Sequence, residues 1–169
     1  MALDPRNIGR AYGPYRYTLG LEKMREFAFA VAGGEPGLGL RTPPEGLDPL
    51  FYDEAAGKAG PYGSVIAFPT FVATFAMAPF GAALQDPALG VDLLRLVHGE
   101  QELEFFEVMR PGDVVTTTGT ITDITTRAGL DLFTVVSESV NQTGKKVVRG
   151  TWTAVIRHEA PARRAPSDA

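Results

Sequence analysis

Cysteine is absent from all 169 residues of this chain. Its absence removes disulfides, thiolate nucleophiles and thiolate-held metals together, and it fits a cytoplasmic setting. Histidine is nearly absent too, with only His98 and His158. A histidine-rich metal centre is excluded, and the carboxylates show no calcium-loop spacing, so no metal is expected. A basic field is also missing. The formal net charge is -4, which argues against nucleic acid as a partner. The opening MALDPRNIGR has no apolar run behind its charges, so no secretory signal is expected.

What is present suits one soluble globular domain. Hydrophobic residues make up 44% and charged residues 21%, enough apolar material for a sizeable core. The longest apolar stretch is FPTFVATFAMAPFGAAL, Phe68 to Leu84. Thr70 and Thr74 alone interrupt it, so a buried helix is expected. Pro79 and Gly81 are expected to break that helix after about three turns. It is too short for a bilayer span, and no membrane association is expected.

Elsewhere the chain alternates irregular and patterned segments. Tyr15 to Leu19 reads as a short strand. Glu22 to Val31 reads as a helix, with Met24, Phe27, Ala28 and Val31 on one apolar face, ended by Gly33, Gly34 and Pro36. Residues 33–63 form a Gly- and Pro-rich insertion, with a short helix expected over Tyr52 to Ala59. Its glycines lack the Lys-Ser/Thr of a phosphate loop and the strand-to-helix context of a dinucleotide site, so no cofactor is expected. Turn chemistry accounts for them.

Beyond a turn at Asp86 to Gly90, four strands are expected: Leu96 to Val108, Val114 to Thr125, Leu132 to Asn141 and Lys146 to Arg157. The first carries Val97, Gln101, Leu103 and Phe105 on one side and Glu100, Glu102 and Glu104 on the other. Glu100 and Gln101 therefore cannot line one pocket. Asn141-Gln142-Thr143-Gly144 is a hairpin signal. In the last strand Val148, Gly150, Trp152, Ala154 and Ile156 alternate with wetter residues, one face in the core. Residues 159–169 read as a disordered tail. The plan is α+β: a curved antiparallel sheet wrapped around one long buried helix.

Several of these segments, in order, resemble the MaoC-like dehydratases, a hot-dog-fold family. They are FAFAVAGGEP, DPLFYDEAAGKAGPYGSVIAFPTF, HGEQELEFFEVMRPGDVVTTTGTITDI and TVVSESVNQTGKKVVRGTWTAVIR. The likeness covers residues 1–158, a single hot-dog domain with an N-terminal extension. It is nearest the N-terminal branch, which includes non-catalytic subunits of two-subunit (3R)-hydroxyacyl-ACP dehydratases. The resemblance implies reversible hydration of a trans-2-enoyl thioester by an Asp and a His in a D-x-N-P-x-H stretch, with the thioester carbonyl polarised by a backbone N–H of the buried helix.

This chain departs from that stretch. In G-L-D-P-L-F the dyad positions hold Gly46 and Phe51, and Asp48 replaces the Asn. No dyad residue is expected. His98 is expected to be hydrogen-bonded within the sheet, His158 to be solvated, and Glu35 and Asp48 to be turn-capping or solvated. Phe51, Tyr52, Phe68, Phe71, Phe75 and Met77 are candidates for an acyl-chain channel, or for plain core at Phe71 and Phe75. The leading expectation is a dyad-less subunit that binds an acyl-CoA or acyl-ACP thioester. It would act as a homodimer or as a heterodimer with a dyad-bearing hot-dog chain. A thioester-binding module without turnover is the second reading, and a hydratase recruiting Glu35, Asp48 or His98 the third.

Overall fold

A computed structural model describes residues 2–33 and 42–158. Glu35 and the tail expected over 159–169 lie outside the described residues. Five strands form one antiparallel sheet: β1 (Ala11–Thr18), β2 (Leu96–Phe105), β3 (Val114–Arg127), β4 (Leu130–Val140) and β5 (Lys146–Arg157). Their spatial order is β1-β3-β4-β5-β2, so β1 and β2 are the two edges. Four helices accompany them: α1 (Leu21–Val31), α2 (Glu54–Ala59), α3 (Ala73–Ala76) and α4 (Ala78–Leu84). None is long and apolar enough to cross a membrane.

The inner face of the sheet follows from alternation. Along β4, Phe133, Val135, Ser137 and Ser139 are buried, and along β5 Val148, Gly150, Trp152, Ala154 and Ile156 are buried. Trp152 lies flat over Gly150, where a Cβ would stand 2.6 Å from the indole nitrogen. The polar members of this face are paired. Trp152 Nε1 donates to Ser137 Oγ at 2.9 Å, and the Thr117 and Ser139 hydroxyls share a hydrogen bond of 2.7 Å. Buried hydroxyls left unpaired would each cost about 1–3 kcal/mol.

The expected single helix over Phe68 to Leu84 comes in three pieces. A 3₁₀ turn, Pro69–Val72, leads into α3 and then α4. Pro79 does not break the helix. It stands in the first turn of α4, where a missing N–H leaves no bond unmade. Gly81 continues the helix, donating its N–H to Met77 O at 2.9 Å. Pro79 is also a packing contact, since a Cβ on Gly119 of β3 would lie 2.4 Å from Pro79 Cβ. The two small or flat residues let α4 approach the sheet closely. Phe71, Val72, Phe75, Ala76, Phe80 and Ala83 face the sheet and are buried, while Thr70 and Thr74 are exposed. The helix is therefore buried on one face rather than all round.

Strand β2 departs from the expected pattern at one point. Its pairing with β5 skips a residue between His98 and Glu100. Gly99 is the extra residue of this bulge, and a Cβ there would come within 2.7 Å of Val155 Cγ2. Leu96, His98, Gln101, Leu103 and Phe105 pair with inward residues of β5, whereas Val97 pairs with Val155. Val97 thus shares the outer face with Glu100, Glu102 and Glu104.

Candidate functional site

An open apolar cavity of about 330 Å³ lies where the segment before the buried helix meets the end of β2. Its first wall is local in origin. Asp48 accepts the Leu50 N–H through Oδ1 at 2.9 Å and so starts the 3₁₀ turn Pro49–Phe51. That turn presents Phe51, whose ring centroid is 5.0 Å from that of Phe68. Two backbone bonds tie this wall to the rest. Ile66 N–H donates to Leu50 O at 3.2 Å, and Ala67 N–H donates to Met109 O at 2.9 Å. The opposite wall is Phe105 and Phe106, at 48% and 46% exposure, with Met109 beneath. The rim is charged. Lys146 Nζ lies 5.3 Å from the Phe106 ring centroid and 2.7 Å from a Glu138 oxygen, and Lys145 Nζ is 3.4 Å from Glu107.

The candidate channel residues divide between this cavity and the core. Phe51 lines it, and Phe68 packs against Phe51 from behind the lining. Tyr52 turns away to Phe29, with centroids 5.4 Å apart, and its carbonyl accepts from Arg25 Nε at 2.7 Å. Phe71 and Phe75 are buried against Tyr17 in the core. Met77 is part-buried against the same core. Phe105 and Phe106 were not among the candidates. Their sequence signal was a pair of adjacent aromatics closing a strand, one of which must face outward whatever the register.

Gly46 and Phe51, where the resemblance would place the dyad, carry no group that can transfer a proton. Gly46 sits in a turn with φ +80°, the left-handed region that favours glycine. Phe51 is part of the cavity wall. His98 is exposed on β2, with Nε2 3.1 Å from Glu100 O and its ring 5.7 Å from the Phe80 ring. Among the described residues His98 and Asp48 share no hydrogen bond or ion pair. Nor does any group of three potential ligands stand close enough to hold a metal there.

A second polar cluster lies at the far end of β4. Asp131 is 1% exposed. Its carboxylate accepts from the Leu3 N–H at 2.9 Å and from Thr126 Oγ1 at 2.5 Å. His158, expected to be solvated, instead places Nε2 2.9 Å from Asp131 Oδ1, close enough for an ion pair when the ring is charged. Burial pushes the Asp131 carboxyl up, but Thr126, the Leu3 N–H and His158 outweigh it and hold the group below its ordinary range. A third group stands beside α4. Tyr12 donates to Asp86 Oδ2 at 2.9 Å, and Arg10 Nε lies 2.6 Å from the same oxygen. Burial first, and then the Asp86 carboxylate, push the Tyr12 phenol up to about 12. Both clusters tie the N-terminal segment down, and neither faces the apolar cavity.

The sheet, its order and the helix against it define a hot-dog fold of the MaoC-like dehydratase and (R)-hydratase kind. The family description "FAS1-like, dehydratase domain region" matches residues 6–149, and the chain belongs to that family. A UPF0336 protein of Streptomyces avermitilis is 40% identical over 158 residues, covering 93% of this chain and 97% of that one. Among solved structures, a MaoC-like dehydratase superposes with a TM-score of 0.71 and 26% identity, over 90% of this chain and 42% of that one. The C-terminally truncated HadBC (3R-hydroxyacyl-ACP dehydratase) complex of Mycobacterium tuberculosis superposes with a TM-score of 0.69 and 24% identity, over 88% of this chain and 96% of that one. The last likeness is one of fold.

Proposed function

We propose that this chain is the dyad-less subunit of an enoyl-CoA or enoyl-ACP hydratase (a 3-hydroxyacyl thioester dehydratase). A hot-dog partner would carry the Asp and His. The observation that supports this is the fate of the dyad positions: one is a positive-φ turn glycine, and the other, Phe51, is a wall of an apolar cavity. A phenylalanine there can hold an acyl chain but cannot move a proton. The reaction needs both a base for water and a proton for the α-carbon. The water oxygen bonds the β-carbon, the carbon–carbon double bond becomes single, and the α-carbon gains a proton. This chain would contribute Phe51, Phe105 and Phe106 as the apolar surface for the chain, with Phe68 packed behind Phe51. Lys145 and Lys146 at the rim suit the phosphates of a CoA or phosphopantetheine arm.

The test is hydration of crotonyl-CoA, followed by loss of enoyl thioester absorbance. The chain alone is expected to be silent, and a rate is expected when a dyad-bearing hot-dog chain is added. A robust rate from the chain alone would overturn the proposal and point to Asp48 and His98. Binding of the thioester with no rate in any combination would favour a binding module.

A further inference from the structure

Strand β2 is an open edge along its whole length. It runs for ten residues without proline. The helical layer packs mainly over β1, β3 and β4 and touches β5, and at β2 the core meets Leu96, Leu103 and the His98 ring, 5.7 Å from that of Phe80. The inward residues His98, Gln101 and Phe105 are nonetheless exposed, as the outward ones are. Large apolar side chains stand free at both ends. Leu94 is 98% exposed and Leu93 54%, just before the strand, and Val97 is 52% exposed on it. Phe105 and Phe106 close it at the cavity. Beyond the bulge at Gly99, Glu100 to Phe105 pair with β5 without a register shift, and such an apolar-ended edge is a template for another strand.

The charges on the edge decide which strand. A second copy of this chain would pair about a two-fold axis, which lays outer face on outer face. The outer residues at the centre of β2 are Glu100, Glu102 and Glu104. Any two-fold pairing centred there sets glutamate opposite glutamate, which destabilises a sheet. Arg149, opposite Glu104 on β5, supplies one positive charge beside the three carboxylates. A partner edge with lysine or arginine at the facing outer positions turns each repulsion into an attraction.

We infer that β2 docks edge to edge with a different hot-dog chain whose edge strand is basic on its outer face, and that the Glu100, Glu102 and Glu104 row discriminates against a second copy of this chain. The inference rests on the subunit reading above and adds the rule by which the partner is selected. Since Phe105 and Phe106 belong both to the edge and to the cavity wall, the docked strand also closes the cavity.

The test needs no thioester and no natural partner. A triple variant E100K/E102K/E104K of the full chain serves as a basic edge of known geometry. Sedimentation equilibrium is run on wild type alone, on the variant alone, and on an equal mixture. The mixed pair is expected to associate about ten- to a hundredfold more tightly than either protein with itself, from three cross-strand charge pairs changing sign. The preference is expected to shrink in high salt, because exposed charges are screened. A neutral variant, E100Q/E102Q/E104Q, is expected to self-associate more tightly than wild type. Wild type pairing with itself as tightly as with the lysine variant would overturn the inference, as would a neutral variant that self-associates no better. Failure here leaves the crotonyl-CoA result untouched, and a silent crotonyl-CoA assay leaves this one untouched.

Discussion

Both edge strands carry a bulge, β1 between Tyr12 and Tyr15 and β2 at Gly99, but β1 also carries Pro14 and lies beside α4, whereas β2 carries no proline and, among the described residues, has no helix packed along it. Proline removes a ladder donor, and a covering helix leaves less room for an incoming strand. The N-terminal segment ahead of β1 is then fastened from two sides, by Asp131 to Leu3 and by Asp86 to Arg10 and Tyr12. One edge is thus closed with local devices, and the other is left open with apolar residues at its ends and carboxylates between. The difference teaches that exposure by itself does not mark an interface. An interface is marked where an edge lacks proline and a covering helix, has apolar residues at its ends, and carries charges of a single sign.

The largest effect is expected in the core between the edges. Trp152→Ala removes the indole that covers Gly150 and supports His98, and should cost about 3–5 kcal/mol in a denaturant titration. Because β2 is held by β5 alone, hydrogen exchange in the variant should show β2 amides losing protection before β1 amides. Loss at β1 first would break the contrast between the edges.

Next comes the fastening of the N-terminal segment. Asp131→Asn weakens hydrogen bonds to a buried charge, and a loss of about 1.5–3 kcal/mol is expected. The sign with pH is fixed by the lowered value of the carboxyl. Its stabilisation is fully present above the ordinary aspartate range, near pH 4, and is lost as pH falls through the lower folded-state value. Wild type and variant should therefore differ at pH 7 and converge in strong acid. Equal stabilities at pH 7 would mean that Asp131 fastens nothing.

These positions also show how far the sequence could be read. Strand β5 was legible because a sheet with one buried face imposes alternation on its residues, β3 because it is dense in β-branched residues, and β4 because it and β5 flank the Asn141 to Gly144 hairpin signal. Val97 was assigned to the wrong face because one glycine, Gly99, shifts the phase, and a bulge leaves no mark in an alternation count. Pro79 reads as a breaker in the sequence because its interior position in an apolar run is the same string of letters as a first-turn position. The contact that distinguishes them, Gly119, is 40 residues away in the chain. His158 was expected to be solvated because its partner Asp131 is distant in sequence. The one clue was a charged residue at an inward position of β4. For the candidate site, Phe51 was singled out as a channel residue and lies in the cavity lining. The facing wall of Phe105 and Phe106 depends on how β2 ends against the loop, which no local pattern encodes.

A smaller effect is expected at that wall. Phe51→Ala opens the cavity beside Phe68 without touching either edge fastening. Binding of a medium-chain acyl-CoA, followed by calorimetry, should weaken about tenfold, the equivalent of roughly 1.4 kcal/mol. Phe71 and Phe75 are buried in the core, so alanine there should lower stability rather than affinity alone. Equal affinity losses at constant stability from all three positions would mean that the channel runs deeper than the cavity.

The smallest effect is expected at Asp48, and it separates a cap from a catalyst. The Asp48 carboxylate accepts the Leu50 N–H and begins the turn that presents Phe51. Asp48→Ala should cost about 0.5–2 kcal/mol of stability, as other cap losses do. Asp48→Asn keeps an acceptor oxygen on the same geometry and should restore most of it. A general base behaves differently. Asparagine cannot take a proton, so for a catalytic Asp48 the Asn variant would be as inactive as the Ala variant in the complex with a dyad-bearing partner. Measuring stability and crotonyl-CoA hydration on both variants distinguishes the two roles. Recovery of both by Asn assigns Asp48 to positioning, and a stable but inactive Asn variant would place the chemistry on this chain after all.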